Sequence, residues 1–170
     1  MSYSNCCGHN DCRPCVEYIP CFGPTGPVGP TATNQFLTLG AVAGTTTLPT
    51  AQTPITFSAN LAQNGTDISA TVPTNTITLA PNHRYYVSYN INATSSAAGT
   101  LGGVLVLNGN TIPSSTANVS VTAAGSESLA GGTIVTVPLA APLPLQLVTT
   151  ASAANVFTLA NASISVIELV

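Results

Sequence analysis

The sequence predicts an all-β chain: a jelly-roll β-sandwich preceded by an extended N-terminal tail. Three observations carry that expectation. From about residue 36 onward apolar and polar residues alternate with period two, β-branched residues are frequent, and turn-forming residues recur at short intervals. No segment carries a helical apolar stripe of useful length, and Ser and Thr at this density compete with helical hydrogen bonding. The 170 residues suit one domain with an appendage. About ten short strands in ~135 residues fit two packed sheets and one core.

Taken in order, the first segment is 1–22. It holds all five cysteines, Cys6, Cys7, Cys12, Cys15 and Cys21, and three of the formal charges, Asp11, Arg13 and Glu17. Residues 23–31 read Gly-Pro-Thr-Gly-Pro-Val-Gly-Pro-Thr, with Gly23, Gly26 and Gly29 at the collagen period. Only glycine fits at the axis of three wound polyproline-II chains, so such a run suits a chain lying beside two copies of itself. At about 3.1 Å per residue the run spans only ~28 Å, too short to hold a trimer by itself. A stiff Pro-Gly linker with an accidental period of three is the plain alternative.

Residues 32–170 form the expected sandwich. Its candidate strands are Phe36–Leu39, Pro54–Ser58, Ile68–Val72, Thr76–Leu79, Arg84–Ala93, Gly103–Leu107, Asn118–Thr122, Gly132–Val137, Leu145–Thr149 and Ala162–Leu169. Tyr85, Val87, Tyr89 and Ile91 alternate cleanly, as do Ile164 and Val166, with the next inward position at either Glu168 or Leu169. Asn64-Gly65 and Asn108-Gly109 are hairpin-turn signals. Gly99, Gly102 and Gly103 read as a turn before a strand. With no Trp and one Met, Leu, Ile, Val and Phe must fill most of the core.

Composition narrows function. Charged residues make up 4% of the chain, against about 25% in ordinary soluble domains. The basic residues are Arg13 and Arg84 alone. Without a basic patch, binding to a phosphate backbone has no electrostatic driving force, so nucleic acid is not an expected partner. Weak repulsion between copies favours association. No apolar stretch is long and uninterrupted enough to span a bilayer, since Ile134 to Val148 contains Pro138, Pro142 and Pro144. No membrane partner is therefore expected, and no secretory signal is expected because Met1-Ser2-Tyr3-Ser4-Asn5 has neither a basic n-region nor an apolar h-region.

The cysteine cluster is the place where reactivity is conceivable. Five is odd, so at least one thiol per chain pairs outside the chain or stays free. Intermolecular disulfides suit a cysteine-dense segment with no core of its own, if the protein becomes exposed once its producing cell lyses. A zinc knot at Cys12-Arg13-Pro14-Cys15 is a second reading, weakened by the poor chelate spacing of Cys6-Cys7 and by His9 lying close to Cys12. A tail with free thiols is the third. In the sandwich, His83 reads as a strand-edge residue and Asp67, Glu127 and Glu168 as solvated carboxylates. One histidine and three scattered acids assemble no nucleophilic or paired-carboxylate set. No enzyme activity, cofactor or metal centre is expected. The four Asn-x-Ser/Thr sequons, beginning at Asn64, Asn92, Asn118 and Asn161, are expected by chance in so Asn-, Ser- and Thr-rich a chain.

These features resemble the collagen-like proteins of the bacterial spore surface, the exosporium nap glycoproteins of Bacillus and relatives. Gly-Pro-Thr is that family's favoured triplet, and here it is two of three. The later part is similar to their trimeric jelly-roll domains, which look like tumour-necrosis-factor and complement globular heads. The carrying segments are Thr76–Leu79 with Arg84–Tyr89, Gly102–Gly109, and Ala162–Leu169. The short collagen run and the cysteine-bearing N-terminus depart from nap proteins and resemble endospore appendages, whose subunits join through cysteine-bearing connector peptides.

The resemblance implies a homotrimer, head-to-tail filaments, a disulfide-locked joint and a spore-surface location reached after mother-cell lysis. An exosporium anchoring protein is a further implied partner. A nap or tip protein whose trimeric head binds a ligand or receptor is the alternative. A phage fibre head is a more distant one.

Overall fold

The computed structural model describes residues 33–41 and 47–169. The cysteine-bearing segment and the collagen-like run lie outside the described residues, so Cys6, Cys7, Cys12, Cys15, Cys21, Gly23, Gly26 and Gly29 have no structural account.

Twelve strands are described: β1 (Phe36–Ala41), β2 (Thr53–Pro54), β3 (Ala59–Asn64), β4 (Ile68–Ser69), β5 (Ile77–Leu79), β6 (His83–Ser95), β7 (Gly99–Leu107), β8 (Asn110–Thr111), β9 (Ala117–Val121), β10 (Gly125–Val137), β11 (Leu143–Ala151) and β12 (Phe157–Leu169). A single 3-10 turn covers Pro113–Ser115. They build two antiparallel sheets. One has five strands in the order β10-β6-β12-β1-β3. The other has seven, with β4-β5-β11-β7-β8 as its path and with β2 and β9 pairing β11 and β7.

Alternation sets the layers. Every second residue of β6 faces inward, giving Tyr85, Val87, Tyr89, Ile91 and Ala93 at 0–4% exposure. β12 answers with Ala162, Ile164 and Val166, and β1 with Leu37 and Leu39. Leu101, Leu105, Leu145, Leu147, Ile77 and Leu79 close the core from the seven-stranded sheet. Val104, Val106 and Val148 form a second small buried group. At the end of β12 the alternation persists: Glu168 turns inward and is buried, while Leu169 faces out.

Two tyrosines join the aliphatic core because their hydroxyls find carbonyls there. The Tyr89 hydroxyl lies 2.8 Å from the Gly103 carbonyl and 2.6 Å from that of Ser115, and its proton serves the pair. Gly131 gives its ring room, since a Cβ there would stand 2.4 Å from the Tyr89 hydroxyl. Ser115 completes this buried knot. Its hydroxyl accepts from the Leu105 N–H at 2.9 Å and donates to the Ile112 carbonyl at 2.7 Å.

The structure corrects several sequence expectations. The expected strand at 54–58 reduces to β2 and a single bridge at Phe57, and the one at 68–72 stops at Ser69. β3 and β8 are additional. β3 is an almost wholly exposed edge strand, so it has no apolar alternation to betray it. Asn108-Gly109 does close a hairpin, with φ of 48° and 78° joining β7 to β8. Asn64-Gly65 does not. It carries the chain from β3 in one sheet to β4 in the other. Gly65 is required there because its φ is 82° and a Cβ would fall on the Gln35 side chain. Gly99, Gly102 and Gly103 lie within β7, where small residues let neighbouring side chains approach.

Candidate functional site

Two features stand out on this frame: an uncharged sheet face and a charged end. The face is the outer side of the five-stranded sheet. At one end a cross-strand row runs Ile134, Tyr86, Ile167, Phe36 across β10, β6, β12 and β1. Ile134 is 58% exposed, and Tyr86 and Ile167 are 44% exposed. The next rows are small or polar: Gly132, Ser88, Ser165 and Thr38, then Ala130, Asn90, Ser163 and Gly40. Of the described residues pointing out from β1, β6, β10 and β12, Arg84 at the margin carries the one formal charge.

The polar groups of this face bond to one another. Thr38 and Ser165 hydroxyls pair at 3.1 Å. The Asn92 amide donates to Asn90 Oδ1 at 2.8 Å and to Asn161 Oδ1 at 2.7 Å, and the Asn90 amide donates to Ser128 Oγ at 3.3 Å. Groups already satisfied within a face lose little when water leaves it. At the far end, beside edge strand β3, a shallow cleft of about 390 Å³ is lined by Gly40, Leu61, Ala160 and Ala162 among others. Leu61 there is 62% exposed.

The charged end is built from three distant stretches. Asp67 follows the β3–β4 corner, His83 opens β6 and Glu168 closes β12. His83 Nδ1 lies 2.5 Å from Glu168 Oε1, with His83 34% and Glu168 8% exposed. One donor atom from each of the three lies within 4.8 Å of the others. Tyr85 lies beside them with its hydroxyl 3.0 Å from the Ala80 carbonyl and 3.3 Å from that of Asp67. Its phenol is pushed up to about 12, chiefly by burial and then by the negative charges of Glu168 and Asp67. Burial likewise raises the Tyr89 phenol.

This end overturns two expectations. Glu168 is buried and paired rather than solvated, and the histidine meets two carboxylates instead of standing alone. Residues scattered along the chain converge because β12 lies antiparallel beside β6. A usable signal did exist: His83 continues the inward series of Tyr85 and Val87, and Glu168 that of Ile164 and Val166. Glu127 lies on β10, away from this group, and no expected site residue of the tail falls within the described residues.

Comparisons with known proteins bear on the fold alone. No protein-family description matches the chain, and a search of curated proteins finds no match either. Among solved structures, the globular domain of the zebrafish complement 1qA protein is similar at 16% identity and a TM-score of 0.54, covering 78% of this chain and 94% of that one. Murine APRIL is similar at 13% identity and a TM-score of 0.55, covering 78% and 99%. The Eiger TNF of S. frugiperda is similar at 12% identity and a TM-score of 0.52, covering 80% and 94%. The described residues therefore have the jelly-roll fold of complement and tumour-necrosis-factor heads.

Proposed function

We propose that this chain is the structural subunit of an extracellular spore-surface fibre, an endospore appendage. Three heads associate about a threefold axis, and trimers stack head to tail through residues 1–22. The observation that carries the reading is the outer face of the five-stranded sheet. It is uncharged but for Arg84, internally hydrogen-bonded and crossed by the Ile134–Tyr86–Ile167–Phe36 row. Such a face loses little on leaving water and gains apolar burial, so it suits a second copy of itself.

The sequence preceding the head supports the remaining steps. Three Gly-Pro triplets suit a three-chain neck. Five cysteines per chain at the far end of that neck supply the covalent lock between trimers. Head-to-tail docking is a heterologous contact that does not close, and so it produces an open filament. The role is mechanical, with no catalytic step.

Negative-stain microscopy of the full chain under oxidising conditions tests the proposal. Filaments that shorten to discrete particles on reduction with heat are the expected result. Discrete trimers under every condition would overturn the fibre role and favour a tip protein with a ligand-binding head.

A further inference from the structure

The described part of the chain has almost dispensed with charge: Asp67, His83, Arg84, Glu127 and Glu168 are its acidic and basic residues. Three of these five meet at one place. Two carboxylates there face a single imidazole, among described residues that are otherwise almost free of charge.

We propose that Asp67, His83 and Glu168 bind one divalent ion of the zinc class at the end of the sandwich where the tail enters. The donor set is one imidazole nitrogen and two carboxylate oxygens, which zinc accepts at about 2.0–2.2 Å. Three donors around such an ion stand about 3.3 Å apart in a tetrahedral arrangement. The present spacing, within 4.8 Å throughout, reaches that by small side-chain adjustments. His83 Nδ1 and Glu168 Oε1 already lie 2.5 Å apart. The ion takes the place of any proton between them, which leaves to solvent, and its dipositive charge balances both carboxylates.

The surroundings hold the donors in position. Gln35 Oε1 accepts from the N–H groups of Thr66 at 2.8 Å and Asp67 at 3.2 Å. The Asp67 carbonyl accepts from the Ala80 N–H at 2.8 Å. Glu168 donates its N–H to the Gln35 carbonyl at 3.1 Å and accepts at its own carbonyl from the Thr33 hydroxyl at 2.5 Å. These bonds fix the backbone from which the Asp67 and Glu168 side chains project. The partial exposure of His83 and Asp67 leaves an approach and a coordination position for water. The bound ion would tie the last strand, the β3–β4 corner and the start of β6 together beside Thr33 and Gln35. Tension arriving through the tail enters the head there.

The test uses the full chain with Cys6, Cys7, Cys12, Cys15 and Cys21 changed to Ser, His9→Gln, Asp11→Asn and Glu17→Gln, so that the tail offers no thiol, imidazole or carboxylate side chain to zinc. Zinc chloride is titrated by calorimetry, and the His83 imidazole nitrogens are followed by NMR. The expected result is saturable binding of one ion per chain, a displaced His83 Nδ1 resonance, and an affinity at least tenfold weaker in both His83→Gln and Asp67→Asn. Both positions are partly exposed, and far-UV circular dichroism checks that each variant folds. Absence of saturable binding, an unmoved His83 resonance, or unchanged affinity in both variants would overturn the proposal.

Discussion

Placing a carboxylate in the apolar row of the five-stranded sheet should dissolve the proposed trimer without unfolding the head. Consider Ile134→Asp and, separately, Ile167→Asp. These side chains are 58% and 44% exposed in the single chain, so roughly half of each remains to be covered by a partner. Full burial of an isoleucine stabilises by about 1.5–3 kcal/mol, so about 1 kcal/mol per residue is at stake in each chain. An unpaired carboxylate drawn into the contact adds a penalty of several kcal/mol. Threefold repetition multiplies both, to on the order of 10 kcal/mol per trimer, where each ~1.4 kcal/mol is a factor of ten in association. In the free head both positions face solvent, and the strand itself should lose no more than about 1 kcal/mol. Sedimentation equilibrium in reductant reads the outcome. The unaltered chain and the control Thr78→Asp, exposed on the other sheet, should sediment as trimers. Both row variants should sediment as folded monomers. Trimers persisting at micromolar concentration in both would refute the assignment of this face.

Further outcomes follow from the core, the charged end and the tail. Tyr89→Phe removes the proton shared with the Gly103 and Ser115 carbonyls and should cost about 1–2 kcal/mol in denaturant unfolding. Gly131→Ala drives a methyl against the same hydroxyl. It should cost about 1–3 kcal/mol alone, but less than additively when combined with Tyr89→Phe. The Tyr85 phenol ionises at about 12 in the folded head and about 10 when unfolded, so its contribution is complete below pH 10. Above that the unfolded chain loses its proton first, and about 2–3 kcal/mol should disappear as pH climbs toward 12. Tyr85→Phe should flatten that part of the stability profile. Replacing all five tail cysteines by serine should leave trimers intact while filaments fall apart in hot detergent, as judged by microscopy. Filaments that still resist it would remove the disulfide lock.

Legibility depended on burial. Strands with one buried face announced themselves: β6 and β12 were expected in nearly their true places because Tyr85, Val87, Tyr89, Ile164 and Val166 must alternate to reach the core. β6 runs two residues past the expected Ala93, and β12 begins at Phe157 rather than Ala162, because a register shift between Leu159 and Asn161 breaks the parity that links the buried Phe157 and Leu159 to Ala162 and Ile164. β3 stayed hidden because an edge strand with both faces wet leaves no periodic trace. The Asn64-Gly65 dipeptide marked a sharp turn correctly and its partner strands wrongly. Local chemistry fixes φ, while the sheet to which the chain proceeds is decided by packing.

By itself the sequence determined the β-sandwich class, its alternation and its near absence of charge. These depend on composition and on short-range periodicity, which any reader of the chain can count. Tertiary structure alone decided which strands became neighbours. That choice assembled Ile134, Tyr86, Ile167 and Phe36 into one row and brought Asp67, His83 and Glu168 to one end. Both groupings join residues more than a hundred positions apart, Phe36 with Ile167 and Asp67 with Glu168. Contacts at that range depend on the global pairing of strands, on which local propensity is silent.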